Sequence, residues 1–162
     1  MTEQSLRDAM NSHGNTVYRL ALCRMQSVPD AEDVYQDVFL RLLQQQETEE
    51  WDDEHTKAWL IRATLNRCAD LHRFRLRRPV LPLEEVPGVE VSDPAGEAAA
   101  LWAAVASLPV KLRTVVHLHY AEGYSTEELA AMLNIPAATV RTRLYRARER
   151  LRQLLGGFDD EA

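Results

Sequence analysis

The densest group of side chains able to contact a nucleic acid lies in residues 139–152. This segment holds six arginines and a single acidic residue, Glu149. Arginine can donate paired hydrogen bonds to a guanine edge or to a phosphate, and threonine offers a hydroxyl and a methyl group. Exposed helix faces usually mix both signs of charge, so this imbalance favours binding to a polyanion. A merely solvated arginine face is the alternative.

The residues around this segment predict two helices separated by a short break. Ser125 and Glu128 have the spacing of a capping box, which marks the start of a helix. That helix is predicted to end at Asn134, and Pro136 opens a longer one that reaches about Leu155. A short helix, a tight break and a long cationic helix are typical of a helix-turn-helix, whose second helix enters the major groove of DNA.

The second of these helices divides into a buried side and a side that can face DNA. Its apolar stripe, drawn on a helical wheel, consists of Val140, Leu144, Ala147, Leu151 and Leu154. Side chains opposite the stripe and near the helix start suit base edges, whereas arginines further along suit phosphates. The predicted base-contacting residues are Ala138, Thr139, Arg141, Thr142, Tyr145 and Arg146. The predicted DNA-backbone contacts are Arg143, Arg148, Arg150 and Arg152.

A second cationic segment spans residues 55–78, with seven basic residues and one acidic residue. A helix is predicted here from about Thr56 to Phe74 or beyond. One polar stripe with an aromatic residue at its head runs along it, formed by Trp59, Arg62, Asn66, Asp70 and Arg73. Arg75, Arg77 and Arg78 extend the positive charge. Aromatic rings beside cations suit opened nucleic acid, because bases stack on rings while arginines follow phosphates. Two alternatives stay open: Trp59 is a core residue, or Asp70 pairs with Arg67 or Arg73 within the helix.

A third candidate surface lies on a helix predicted from Asp30 to about Gln44. Its apolar face, which should pack into a core, consists of Val34, Tyr35, Val38, Phe39, Leu42 and Leu43. The face left over carries Asp33, Gln36, Asp37, Leu40, Arg41 and Gln44. A leucine among acidic residues suits docking of a protein partner, although a solvated face is the alternative.

The elements that must position these surfaces are helices throughout, so the predicted fold class is all-α. The chain has 162 residues and a net charge of −6, which suits two small helical domains joined by a flexible acidic linker. Prolines and acidic residues without helical period predict the linker. The predicted division is 1–78 for the first domain, 79–97 for the linker, 98–157 for the second domain and 158–162 for an acidic tail. In the second domain, helices are predicted over 97–108 and 109–121.

Several classes of function are not indicated by the sequence. No apolar run is long enough for a membrane helix and the start does not resemble a secretion signal, so we expect a cytoplasmic protein without membrane insertion. Cys23 and Cys68 are expected to be buried, reduced thiols. His117 and His119 would point about 200° apart on a helix, so neither a metal site nor a cofactor is expected. No phosphate loop or nucleophile motif is present, and we expect no enzymatic activity.

Four stretches in order resemble one family, the extracytoplasmic-function (ECF) group of bacterial sigma-70-type sigma factors. They are residues 30–41 (DAEDVYQDVFLR), Trp59-Leu60 with Asn66 and Asp70, Leu108-Pro109, and residues 139–148 (TVRTRLYRAR). By this resemblance the first domain is region 2 and the second is region 4. The resemblance spans almost the whole chain. This chain departs from the family pattern in its acidic and glutamine-rich connection over 45–53, and in Cys68 and His72, where the family more often has aliphatic or aromatic residues.

The resemblance implies three contacts with the transcription machinery. The helix over 30–44 would dock on the clamp of RNA polymerase core through Asp33, Gln36, Asp37, Leu40 and Arg41. The helix over 56–78 would melt the minus-10 element and hold its non-template strand, with a base flipped into a pocket near residues 45–53. Region 4 would read the minus-35 element of promoter DNA and touch the polymerase flap with its apolar outer surface, and the linker would thread along the polymerase. An anti-sigma factor is an expected partner, and the free protein is expected to be a monomer.

Two other functions fit the same residues. A free-standing regulator would use the helix-turn-helix as a dimer on a near-palindromic site. A sigma-like decoy would hold polymerase or an inhibitor without opening promoters. Dimerisation and DNA binding without polymerase would indicate the first, and indifference to loss of Trp59 and Arg62 would indicate the second.

Overall fold

The computed structural model describes residues 1–77 and 97–156, with the backbone alone for residues 77, 97 and 98. Within these ranges the ordered elements are all helical, which confirms the all-α prediction. The α-helices are α1 (Glu3–Met25), α2 (Val28–Gln44), α3 (Asp53–Arg77), α4 (Glu97–Ser107), α5 (Val110–Val116), α6 (Thr126–Leu133) and α7 (Ala137–Leu155). A 3₁₀ turn spans Thr48–Glu50, and a π-helical turn spans His117–Ala121. They form two compact units, and the cut between them falls outside the described residues.

The first unit packs α1, α2 and α3 around one apolar core. Val34, Val38 and Leu42 of α2 are fully buried, as the apolar face predicted. Leu43 was expected on that face but is 39% exposed, because it lies at the edge of the stripe. Burial of this one face leaves most of the opposite face of α2 open to solvent.

Two helix starts in the first unit differ from the predicted ones. The N-cap of α2 is Ser27, whose hydroxyl accepts the Asp30 N–H at 3.3 Å, so the helix begins before Asp30. Helix α3 begins at Asp53 rather than at Thr56, because Asp52 Oδ1 accepts the His55 N–H at 2.7 Å. In both cases a capping side chain a few residues upstream satisfies the free N–H groups of the first turn.

Both cysteines lie in the first unit as thiols that form no disulfide. Cys68 is buried, and burial raises the pKa of its thiol to about 11, an effect that the nearby Arg24 guanidinium opposes. Cys23 is only half-buried, which corrects the expectation that both thiols are buried.

The second unit consists of α4 to α7, with Leu108, Val115, Leu118, Leu129 and Val140 among its buried residues. The guanidinium of Arg113 is buried and donates to the Leu108 carbonyl oxygen at 2.7 Å, which ties α5 to the end of α4. The predicted helix over 109–121 keeps its extent, but its last five residues form the π-helical turn. This turn closes when the Glu122 N–H donates to the His117 carbonyl oxygen at 3.2 Å.

The helix-turn-helix geometry follows its sequence pattern closely. The capping box of α6 is present, since Ser125 Oγ accepts the Glu128 N–H at 3.1 Å and Glu128 Oε1 accepts the Ser125 N–H at 3.0 Å. Asn134 ends α6 in the left-handed conformation at φ 55°, and Gly156 ends α7 in the same way. Leu154 was predicted in the buried stripe of α7 but is 56% exposed, whereas Leu151, one turn earlier, packs against the core.

Several predictions concern residues outside the described ranges: the linker up to residue 96, the acidic tail over 158–162, and Arg78. Within the described ranges, no helix is both long enough and apolar enough to cross a bilayer.

Candidate nucleic-acid interface

Helix α7 presents its predicted DNA-contacting side to solvent. Its opposite side is buried, with Val140 and Ala147 at 0% exposure and Leu144 at 2%. Of the predicted base-contacting residues, Thr139 is half-buried and the exposed ones are Ala138, Arg141, Thr142, Tyr145 and Arg146. The Thr142 hydroxyl donates to the Ala138 carbonyl oxygen at 3.0 Å, which leaves its methyl group and oxygen lone pairs outward. The side of α7 that sequence analysis assigned to bases is therefore accessible to them.

One flank of α7 borders an open groove with a volume of about 630 Å³ against the start of α5. Three arginines of α7, at positions 143, 146 and 150, line it together with Lys111 of α5. Lys111 is exposed, and sequence analysis missed it because it lies outside both cationic segments. The groove brings these four cations and the Glu149 carboxylate to one flank of α7, where a cation can meet a phosphate as well as a base edge.

The other flank of α7 carries Arg141 and Arg148. Arg148 Nη1 donates to the Tyr120 hydroxyl oxygen at 3.1 Å. Near Arg141 lies Glu127 of α6, whose carboxyl pKa is held below its usual value by its own backbone N–H and by the Thr126 hydroxyl, with a smaller effect of Arg141. Beyond this flank, Arg152 pairs with Glu149, so its charge is partly compensated.

The head of α3 carries an aromatic cluster. The Trp51 ring stacks on His55, with centroids 4.4 Å apart and planes 7° apart, and it lies 5.9 Å from the Trp59 ring. Trp59 is half-buried and packs at the edge of the core, which agrees with the core alternative in part and leaves part of its ring exposed. Trp51 was missed as a site residue, although its position in the polar connection could have indicated it. The cluster offers a partly exposed stacking surface next to the exposed side chains of Arg62 and Asn66.

Further along α3, the predicted DNA-binding residues are engaged with carboxylates. Arg73 pairs with Asp70 in the next turn of the helix, which is one of the two alternatives that the sequence left open. Arg75 pairs with Asp30 of α2, whose side chain is only 12% exposed. Contact of Arg73 or Arg75 with DNA would require these pairs to open. The side chain of Arg77 and all of Arg78 lie outside the described part of the chain.

The candidate docking face of α2 is exposed except at one position. Leu40 is 58% exposed, and Asp33, Gln36 and Arg41 are also exposed. Asp37 is half-buried between Arg41 at 3.0 Å and Arg67 of α3 at 3.2 Å. Its carboxylate therefore ties α2 to α3, in addition to any contact with a partner.

Comparison with known families and proteins gives a consistent result along the chain. The family profile "Sigma-70 region 2" matches residues 9–78, and "Sigma-70, region 4" matches residues 98–151. ECF RNA polymerase sigma factor SigE of Mycolicibacterium smegmatis is 34% identical over 95% of this chain, which spans 63% of that relative's length. SigM of Mycobacterium tuberculosis is 34% identical, and the match covers 89% of this chain and 74% of the SigM sequence. SigW of Bacillus subtilis is 30% identical, and the match covers 94% of this chain and 90% of the SigW sequence.

Solved structures give the same fold. The sigma factor RpoE in its complex with the anti-sigma factor NepR from Bartonella quintana matches 94% of this chain and 97% of its own, with a TM-score of 0.77 at 22% identity. CnrH, solved in complex with the cytosolic domain of CnrY, matches 95% of this chain and 89% of its own, with a TM-score of 0.66 at 27% identity. The chain with the exposed cationic α7 and the aromatic head of α3 belongs to the ECF sigma factors of the sigma-70 family.

Proposed function

We propose that this chain directs promoter-specific transcription initiation as the sigma subunit of RNA polymerase, with α7 reading the minus-35 element and α3 opening the minus-10 element. The observation that carries the proposal is the helix-turn-helix, in which α7 buries Val140, Leu144 and Ala147 on one side and exposes Arg141 and Arg146 on the other. The polymerase supplies the chemistry of RNA synthesis, and the chain supplies binding, so no reaction is assigned to the chain itself.

The two cationic surfaces suit different forms of DNA. Helix α7 suits duplex DNA, because a helix fits the major groove and arginines on both flanks reach the phosphates of the two strands. The cluster of Trp51, His55 and Trp59 suits a displaced strand, because each unpaired base can stack on a ring while Arg62 meets the backbone. Asn66 on the same side of α3 can hydrogen-bond a base edge.

Contacts with protein partners complete the proposal. The Leu40 face of α2 docks on the polymerase clamp, and exposed Leu101, Trp102 and Leu154 of the second unit supply the apolar surface for the flap. An inhibitory anti-sigma factor is proposed because both solved neighbours carry a bound protein partner, named as an anti-sigma factor in one of them. The boundaries 1–78, 79–97, 98–157 and 158–162, a monomeric free state and a cytoplasmic location belong to the same proposal.

The test is transcription in vitro with core polymerase and a template library randomised upstream of the start site. Sequence-specific initiation beyond that of core alone is expected with the wild-type chain. Arg141→Ala with Arg146→Ala should abolish selection of the upstream element. Arg7→Ala is the matched control, because Arg7 lies on α1, belongs to neither predicted DNA-contacting surface and pairs with Glu3 at 2.7 Å. Initiation that does not differ from core alone would overturn the proposal.

The two other functions predict different outcomes. The free-standing dimer is not favoured, since relatives that cover most of the chain are named as polymerase sigma factors. A decoy would bind core polymerase and still be indifferent to Arg62→Ala, whereas an initiating subunit loses open-complex formation in that variant.

A further inference from the structure

The π-helical turn over His117–Ala121 brings an aromatic hydroxyl to the flank of α7. Tyr120 lies in this turn, is 59% exposed, and accepts a hydrogen bond from Arg148 Nη1 at 3.1 Å. The two residues are 28 positions apart in sequence, so the contact depends on the fold of the second unit. An α-helical continuation would place the residues after His117 at a different rotation about the helix axis.

The Tyr120 ring packs against the ring of His119. The two rings meet edge to face, with centroids 4.8 Å apart and planes 78° apart. His119 Nδ1 is 2.6 Å from the Tyr124 carbonyl oxygen, and because a carbonyl only accepts, Nδ1 is the protonated nitrogen that donates. The histidine ring is therefore fixed to the loop that follows the π-helical turn, and it limits the movement of the tyrosine.

A hydroxyl partner leaves the guanidinium able to bind an anion. Arg152 pairs with the carboxylate of Glu149, which compensates its charge, whereas the oxygen of Tyr120 is neutral and leaves the full charge of Arg148 available. The tyrosine hydroxyl has its own proton to donate once it has accepted from Arg148. Arg148 lies seven residues beyond Arg141. That is two helical turns, or about 10 Å further along the same side of α7.

We propose that Tyr120 is a positioning residue for promoter binding, whose hydroxyl holds the Arg148 guanidinium at the flank of α7 where it meets a DNA backbone phosphate. Holding a long side chain in its bound conformation lowers the entropy that binding must otherwise overcome. The inference rests on the proposed function, because it needs duplex DNA against α7.

The experiment is a double-mutant cycle on full-length chain bound to core polymerase, using a promoter selected from a random library by the wild-type holoenzyme. Tyr120→Phe should weaken promoter binding about 3- to 10-fold, within the range for an ordinary intramolecular hydrogen bond. Arg148→Ala should weaken it further and lower the slope of log affinity against log salt by about 1. Adding Tyr120→Phe to Arg148→Ala should change nothing more. The same tyrosine change added to Arg146→Ala should keep its full effect.

Each other outcome is decisive. Equal binding by wild-type and Tyr120→Phe holoenzymes would overturn the inference, as would additive losses with Arg148→Ala, which would mean that Tyr120 contacts DNA directly. A fall in melting temperature of the Tyr120→Phe chain together with a loss that persists in Arg148→Ala would indicate a structural role and would also overturn it. Failure of the wild-type holoenzyme to select any promoter would instead contradict the proposed function.

Discussion

The arginines of α7 and those of α3 look alike in sequence but differ in their surroundings. Among the described residues, the arginines of α7 at positions 141, 143, 146 and 150 form no ion pair with a carboxylate. On α3, by contrast, the arginines at positions 67, 73 and 75 pair with Asp37, Asp70 and Asp30. Helix α7 therefore presents unpaired cations to solvent, whereas the three paired arginines of α3 are held by carboxylates of the first unit. The aromatic cluster is the part of α3 that we propose as its main contact with DNA.

The largest effect is expected from the unpaired side of α7. Replacing both Arg141 and Arg146 by alanine should weaken promoter binding by the holoenzyme about 100-fold or more, since each base-contacting arginine contributes about 1–3 kcal/mol. Competition binding with labelled promoter DNA measures it. A loss of less than about threefold, close to that of the Arg7→Ala control, would show that these exposed arginines do not contact the promoter.

For the stability of the protein, an effect is expected from a paired arginine of α3. Arg75→Ala should lower the free energy of unfolding of the first unit by about 2 kcal/mol, because it leaves the largely buried Asp30 carboxylate without its partner. In a Trp102→Phe background the remaining tryptophans, Trp51 and Trp59, both lie in the first unit, so urea unfolding followed by fluorescence reports that unit alone. Arg62→Ala, at an exposed position of the same helix, is the control. Equal stability of both variants would mean that the pairing of Arg75 with Asp30 does not stabilise the first unit.

The aromatic cluster should act on opened DNA alone. Trp51→Ala should reduce open-complex formation about tenfold, since stacking of one base on an aromatic ring contributes about 1–3 kcal/mol. Trp51→Phe keeps a ring and should retain most of the activity. Permanganate reactivity of thymines near the start site measures opening, and binding to the closed promoter should stay unchanged. If Trp51→Ala and Trp51→Phe open the promoter equally well, the ring does not hold a base.

The smallest effect concerns the acidic neighbour of Arg141. Glu127→Gln should strengthen promoter binding about twofold, because it removes a negative charge beside the DNA-contacting flank of α7. The pKa of this carboxyl lies below its usual value, so the group stays ionised as pH falls through the range where other glutamates protonate. Wild-type binding should therefore gain nothing from Glu127 at mildly acidic pH. Weaker binding by Glu127→Gln would contradict this expectation, because the negative charge of Glu127 would then favour binding.

Local features of the fold were predictable from sequence because their causes are local. The capping box of Ser125 and Glu128, the left-handed Asn134 and the apolar stripe around Val140 and Leu144 each depend on residues within a few positions of one another. The same holds for the exposed side of α7, since a helix with one apolar stripe and a strongly charged opposite face exposes the charged face.

Features that depend on distant residues were not predictable. Asp30 meets Arg75, and Lys111 meets the arginines of α7, only after helices pack. A charge pattern along one helix does not reveal which arginines a neighbouring helix will neutralise. The π-helical turn was not predictable either. It keeps the length of the predicted helix and changes only the direction in which Tyr120 points.

The most direct test of the central claim is a hydroxyl-radical footprint of the holoenzyme on a promoter that it has selected. Two separate protected segments on one duplex are expected, with the upstream one lost in the Arg141→Ala, Arg146→Ala variant. Neither segment should be protected by the chain without core polymerase, because each surface alone binds weakly. A single near-palindromic segment, protected fully by the chain without polymerase, would contradict the assignment of α3 and α7 to two promoter elements.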